Sequence, residues 1–175
     1  MKTRRLHRHQ GGFSLIELLI VIALTGLITA AITTTIFQVF NMNTRTANRM
    51  TAISQVQQAG KLVSEDVLEA VVVNVAEGSG FPLTLTCTYY EESVAVSHQI
   101  EYTLDEGELW RSESVNETEP ATMSLVAEHI DASQTSFAPP GGKLGLDETL
   151  TFTVTATVGD ESETRVYEVK PRPGT

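Results

Sequence analysis

From Leu18 to Phe40 the chain runs for 23 residues without a charged side chain. At about 1.5 Å of rise per residue, a helix of that length reaches ~35 Å, enough to cross a hydrocarbon layer of ~30 Å with some tilt. Its flanks are unequal. Met1 to Gly12 holds Lys2, Arg4, Arg5 and Arg8, with His7 and His9 and no acid, whereas 8 basic and 22 acidic residues follow Gly12. Basic residues ahead of a span hold that end in the cytoplasm, so the acidic remainder is expected outside. Arg45 and Arg49 follow the span, but they are fewer and farther from it than the basic residues of the leader.

Averages over the whole chain conceal this division. Its 175 residues carry a net charge of −10 and a mean hydropathy of −0.03, values that exclude a protein of many spans. A pI near 4.8 disfavours direct nucleic-acid binding, because phosphate is repelled by most of the surface. The single cysteine, Cys87, excludes an intrachain disulfide and any metal site built on several cysteines. An ordinary secretory signal is a poor fit. Such signals have an apolar core of roughly 7–15 residues and a small-residue cleavage site after it. Here the core is longer, and the nearest approach to a cleavage site is Thr29-Ala30-Ala31. A carboxylate, Glu17, also lies at the head of the apolar run, where burial in lipid costs about 2.5–3.5 kcal/mol.

The segment Gly11-Gly12-Phe13-Ser14-Leu15-Ile16-Glu17-Leu18-Leu19-Ile20 resembles the N-terminus of type IV prepilins and pseudopilins. The resemblance implies cleavage between Gly12 and Phe13 by a membrane-embedded prepilin peptidase, then N-methylation of Phe13. It places Glu17 at the fifth mature position and Gly26 at the fourteenth, where pilins commonly have glycine. The proline many pilins carry eight residues later is replaced by Thr34. Physical chemistry agrees with the resemblance at Glu17. Cleavage would leave a positive amine on Phe13, and a carboxylate one helical turn away can neutralise it or that of a neighbouring subunit. In the span itself, Gly26, Thr25, Thr29 and Thr33 to Thr35 suit either a deformable stretch or a plain helix with small residues that pack closely.

Asn41 to Ala76 reads as the continuation of the helix in water. Met50, Ile53, Val56, Ala59 or Gly60, Val63, Val67 and Ala70 recur in steps of three and four, with Gln55, Gln57, Gln58, Lys61, Glu65, Asp66 and Glu69 on the other faces. Gly60 marks close packing or a bend, and Glu77-Gly78-Ser79-Gly80 ends the pattern. Beyond it, Leu83–Tyr90, Gln99–Leu104 and Glu108–Ser112 read as strands, the last two joined by an Asp105-Glu106-Gly107 turn. Thr149–Val158 alternates cleanly, directing Leu150, Phe152, Val154, Ala156 and Val158 to a core, and Gly159-Asp160 leads to a last strand at Thr164–Val169. Ser124–Ile130 fits a strand or a short helix.

The expected organisation is therefore a leader (1–12), a transmembrane or filament-core helix (13–40), an amphipathic helix with its linker (41–80) and an antiparallel β head (81–175). This α+β layout resembles the pilin fold. The order Leu109-Trp110-Arg111, Leu125 to Ile130, a late strand and Val169-Lys170-Pro171-Arg172 is similar to minor pseudopilins of the J or W type, which sit at or near a filament tip. The resemblance implies as partners the prepilin peptidase, major and other minor pilins, membrane lipid and an inner-membrane assembly platform with a separate ATPase. It also implies a single-pass protein of the bacterial cytoplasmic membrane that passes into a periplasmic or surface filament.

No catalytic group, cofactor or metal is expected. His98 and His129 read as isolated from each other and from Cys87, and Gly141-Gly142-Lys143-Leu144-Gly145 lacks the pattern of a phosphate loop. The acidic runs at Glu91-Glu92, Asp105–Glu108 and Asp160–Glu163 offer oxygens to calcium without the ligand spacing of a known calcium loop, so they read as solvated turns. Asn116-Glu117-Thr118 matches a glycosylation sequon and Arg4-Arg5 a twin-arginine signal. Two other functions compete: an uncleaved signal-anchored binding domain outside the cell, and a competence-type pilin that takes part in DNA uptake.

Overall fold

The computed structural model describes residues 12, 14–91, 94–115, 118–145 and 147–171. The expectations for residues 1–11 of the leader, Phe13, Glu92, Asn116-Glu117 and Arg172 lie outside the described residues. The chain divides into two units, one ending at Thr44 and one beginning at Arg45. A single helix, α1 (Leu15–Glu69), contributes to both.

In the first unit no other described residue covers α1. Its most apolar window is 0% buried, and side chains such as Leu15 and Leu27 are 82% and 71% exposed. Fully burying a large apolar side chain is worth about 1.5–3 kcal/mol, so so long an apolar surface requires lipid or other helices. The helix is long and apolar enough to cross a membrane. Thr25, Thr29, Thr33, Thr34 and Thr35 each donate the hydroxyl proton to the carbonyl four residues back. Their polar atoms are thereby satisfied within the helix, as an apolar surrounding demands.

In the second unit α1 finds its cover within the chain. Ala52, Val56, Ala59, Gly60, Val63, Asp66 and Val67 are buried, the steps of three and four that an amphipathic helix requires. Met50, expected on this stripe, is 67% exposed, two residues short of Ala52, where burial begins. Asp66, expected on a polar face, is buried instead, because it stands seven residues beyond Ala59 and so on the same stripe.

The helix stops at Glu69, short of the expected Ala76. Val71, Val72 and Val73 are β-branched and lose side-chain freedom in a helix. The backbone passes directly to a sheet, with Val71 N–H donating to the Thr86 carbonyl at 2.8 Å. Strand β1 is Val72–Val75, followed by β2 (Leu83–Glu91), β3 (Val94–Asp105), β4 (Glu108–Val115) and β5 (Thr118–Ala127). Then come β6 (Ser136–Ala138), β7 (Gly142–Lys143), β8 (Leu150–Val158) and β9 (Glu161–Val169). Asp105 and Glu108 pair across the expected turn, where Glu106 and Gly107 take positive φ of 46° and 82°, the requirement of a tight hairpin turn.

The head holds two antiparallel sheets where the sequence suggests one. Six strands lie in the order β5-β4-β3-β2-β1-β7 and three in the order β6-β8-β9. The ambiguous Ser124–Ile130 segment is the reason. It completes β5 and then leaves the first sheet, with His129 at a φ of 61° and Ile130 bridged to Ala156 of the second. The stripe of α1, Leu83, Leu85 and Tyr102 of the first sheet, and Phe137, Phe152 and Val154 of the second belong to one core. Leu150, Phe152, Val154 and Ala156 are buried, as the alternation of β8 requires, and Val158 is half-buried.

Gly60 marks close packing. A Cβ built there would overlap the ring of Tyr167 on β9, whose hydroxyl donates to the Val56 carbonyl at 3.2 Å. Helix propensity favours Ala over Gly by up to ~1 kcal/mol, but overpacking a core costs about 1–3 kcal/mol. The Gly60→Ala variant should therefore unfold at lower denaturant concentration than the parent, and adding Tyr167→Leu should restore part of the loss. A Gly60→Ala variant more stable than the parent would show that the ring gives way freely.

Candidate functional site

The N-terminal candidates sit where the chain enters α1. Gly12 is exposed and precedes the helix, and Glu17 is exposed in its first turn. The Ser14 carbonyl accepts from the N–H groups of Glu17 and Leu18 at 3.0 and 3.1 Å. A serine before the helix and a glutamate three residues later have the spacing of a capping box. Carboxylates are also favoured at a helix N-terminus, where the unpaired N–H groups carry partial positive charge. Local backbone chemistry therefore gives Glu17 a second reason for its position, one that the sequence shows in the Ser-x-x-Glu spacing.

Gly26 lies in a shallow groove between Ile22 and Thr34, which Thr25, Thr29 and Ala30 also line. A Cβ on Gly26 would meet nothing within 4 Å, so no packing among the described residues requires glycine there.

The head contains a polar network between helix and sheet. Arg111 of β4 donates from Nε to Asp66 Oδ2 at 2.7 Å and from Nη1 to Glu113 Oε2 at 2.7 Å. Tyr102 donates its hydroxyl to the same Asp66 oxygen, and His98 Nδ1 donates to Glu113 Oε1 at 2.9 Å. The side chains of Arg111 and Asp66 are 18% and 12% exposed. Nearby, Tyr89 donates to Glu69 Oε2 at 2.7 Å. The last turn of α1 holds no basic residue, although negative charge is unfavourable at a helix C-terminus. Arg111 supplies from the sheet the positive charge that the helix lacks.

Ionisation follows this geometry. Hydrogen bonds from His98 and then Arg111 hold the Glu113 carboxyl below its ordinary 4.5. Desolvation opposes the Arg111 charge, but hydrogen bonds to Asp66 and Glu113 outweigh it and raise that group. Burial, then the hydrogen bond to Asp66, raises Tyr102.

One of the histidine and cysteine expectations needs revision. The register of β2 and β3 sets Cys87 opposite His98, so those two are not isolated from each other. Burial, reinforced by the charges of Asp66 and Glu69, pushes the Cys87 thiol up to about 11, which leaves it in the poorly nucleophilic thiol form. His98 is bonded to Glu113 and set edge-on to Tyr89 at 4.8 Å. The pair belongs to the packing of the sheet. Among the described residues, no group of three or more His, Cys, Asp or Glu is arranged to hold a metal ion. In the glycine-rich loop, the Gly145 N–H donates to Glu148 Oε2 at 2.7 Å, an internal acidic partner.

These features define an α+β chain with an uncovered apolar N-terminal helix, the build of a membrane-anchored protein. Residues 7–33 match the family model described as the prokaryotic N-terminal methylation motif, a span that includes Gly12, Phe13, Glu17 and Gly26. The match covers the N-terminal region alone, which resembles that of the type IV prepilins and pseudopilins, and the motif implies processing by a prepilin peptidase and assembly with other pilins. No curated protein and no solved structure matches the chain.

The lowered Glu113 group sets a pH dependence. A depressed carboxyl contributes stability that is fully present above its unfolded value and is lost as pH falls through the folded one. Denaturant midpoints of the parent should therefore fall as pH drops below about 4.5. The Glu113→Gln variant should show a shallower acid limb. Parallel acid limbs for parent and variant would remove Glu113 from the balance.

Proposed function

We propose that the chain is the precursor of a minor pilin or pseudopilin, a non-enzymatic subunit of a type IV pilus or a type II secretion-like filament. The observation that carries this reading is the methylation motif joined to an apolar helix that no other described residue covers. Prepilin peptidase hydrolyses the peptide bond after Gly12 on the cytoplasmic side and methylates the new amine of Phe13. The span then waits in the membrane, crossing once with the acidic head outside, as the basic leader favours. Glu17 neutralises the Phe13 amine of its own chain or of a neighbour, which matches charges as subunits come into axial register.

The groove at Gly26 and Ala30 admits a neighbouring helix closely, since small residues let helix backbones approach. Energy for extraction comes from the ATPase of the assembly platform. The acidic head and the sequence order around Trp110 and Val126 support placement at the filament tip, in the manner of J- or W-type pseudopilins.

The intact mass of the chain recovered from its host should equal that of residues 13–175 plus one methyl group. A full-length chain, or one starting near Ala31, would contradict the proposal. The Glu17→Ala variant should be processed normally yet fail to co-purify with sheared filaments. Incorporation at the parent level would exclude Glu17 from assembly.

A further inference from the structure

Two arginines just beyond the apolar run have no partner among the described residues. Arg45 and Arg49 are exposed and one helical turn apart on α1, and neither makes an ion pair or hydrogen bond there. Like charges at this spacing repel, and the helix has nothing to offset them. Between Glu17 and Glu65 the chain contains no acid at all.

Their place on the helix is equally informative. Arg45, Ala52, Ala59 and Asp66 stand at seven-residue steps, as do Arg49, Val56 and Val63. Both arginines therefore continue the stripe that the head covers, and they flank the edge of that cover. The edge is marked by Asn48, which is half-buried and lies against the β8–β9 turn at Gly159. The covalent tether to the apolar run is short. Arg45 and Arg49 follow Phe40 by five and nine residues, ~7 and ~13 Å of helix. A headgroup layer is ~5–7 Å deep on each side of a bilayer, and arginine extends its charged end toward that layer along an apolar stem.

We propose that Arg45 and Arg49 bind the phosphates of anionic phospholipid headgroups in the leaflet on the head side. The proposal rests on the membrane span put forward above. Guanidinium groups suit phosphate because they present paired N–H donors in one plane and remain charged. The contact neutralises two like charges that have no partner among the described residues. It also fixes the depth at which the stripe passes from headgroups to the protein core. In a predominantly acidic head, it is an attractive point for an anionic surface that repels the remainder.

The test uses the full chain, carbon-13 labelled at arginine Cζ, in phosphatidylcholine vesicles containing phosphatidylglycerol. Parent and the R45Q/R49Q variant are compared. Both should float with the vesicles, because insertion depends on the span. Dephasing of the Cζ signal by lipid phosphorus should be present in the parent and should lose the share of these two arginines in the variant. Equal dephasing in the two, with normal flotation, would overturn the headgroup contact alone. So would Cζ contacts to carboxylates of a second copy, which would assign the arginines to a subunit interface. A parent chain that fails to float would overturn the span and the contact together.

Discussion

The apolar surface of α1 between Leu15 and Phe40 is the constraint on which the account depends. A helix this apolar is stable in water only if something covers it, and no other described residue does so. Lipid and the helices of other subunits are the two surroundings that solve the problem, and the threonines of the span suit both. Their hydroxyls are already bonded to backbone carbonyls, so neither surrounding must supply a polar partner.

The second half of the helix meets the same problem with partners from its own chain. Small side chains at Ala52, Ala59 and Gly60 bring the helix close to the sheets. At Gly60 the approach leaves room for the Tyr167 ring and nothing more. The Asp66–Arg111 pair then ties the acidic end of the helix to β4. Removing one partner of this partly buried pair leaves the other charge without its counter-ion. Two sheets, one helix face and one polar network thus form a single core whose contacts are mostly distant in sequence.

The sequence shows these features unequally. The uncharged run, the glutamate at its head and the Asp105-Glu106-Gly107 turn are local patterns, and each appears where the pattern places it. Asp66 is harder to read, because an acid in a helical repeat suggests solvent. Its spacing of seven from Ala59 is the signal that places it inward. Arg111 lies 45 residues away, and no local pattern joins the two. The facing of Cys87 and His98 depends on a strand register that alternation alone does not set. The helix end depends on the choice of Val71 and Val72 between a helix and the Thr86 strand, a competition decided by tertiary pairing.

The central claim is that a specific peptidase, acting at the junction before the apolar run, turns this chain into a filament subunit. The direct measurement is to express the chain in two otherwise identical bacterial hosts, one with an active prepilin peptidase and one with that enzyme inactivated, and to sequence its N-terminus from the membrane fraction. The account predicts a start at Phe13 in the first host and at Met1 in the second. The same N-terminus in both hosts would contradict it.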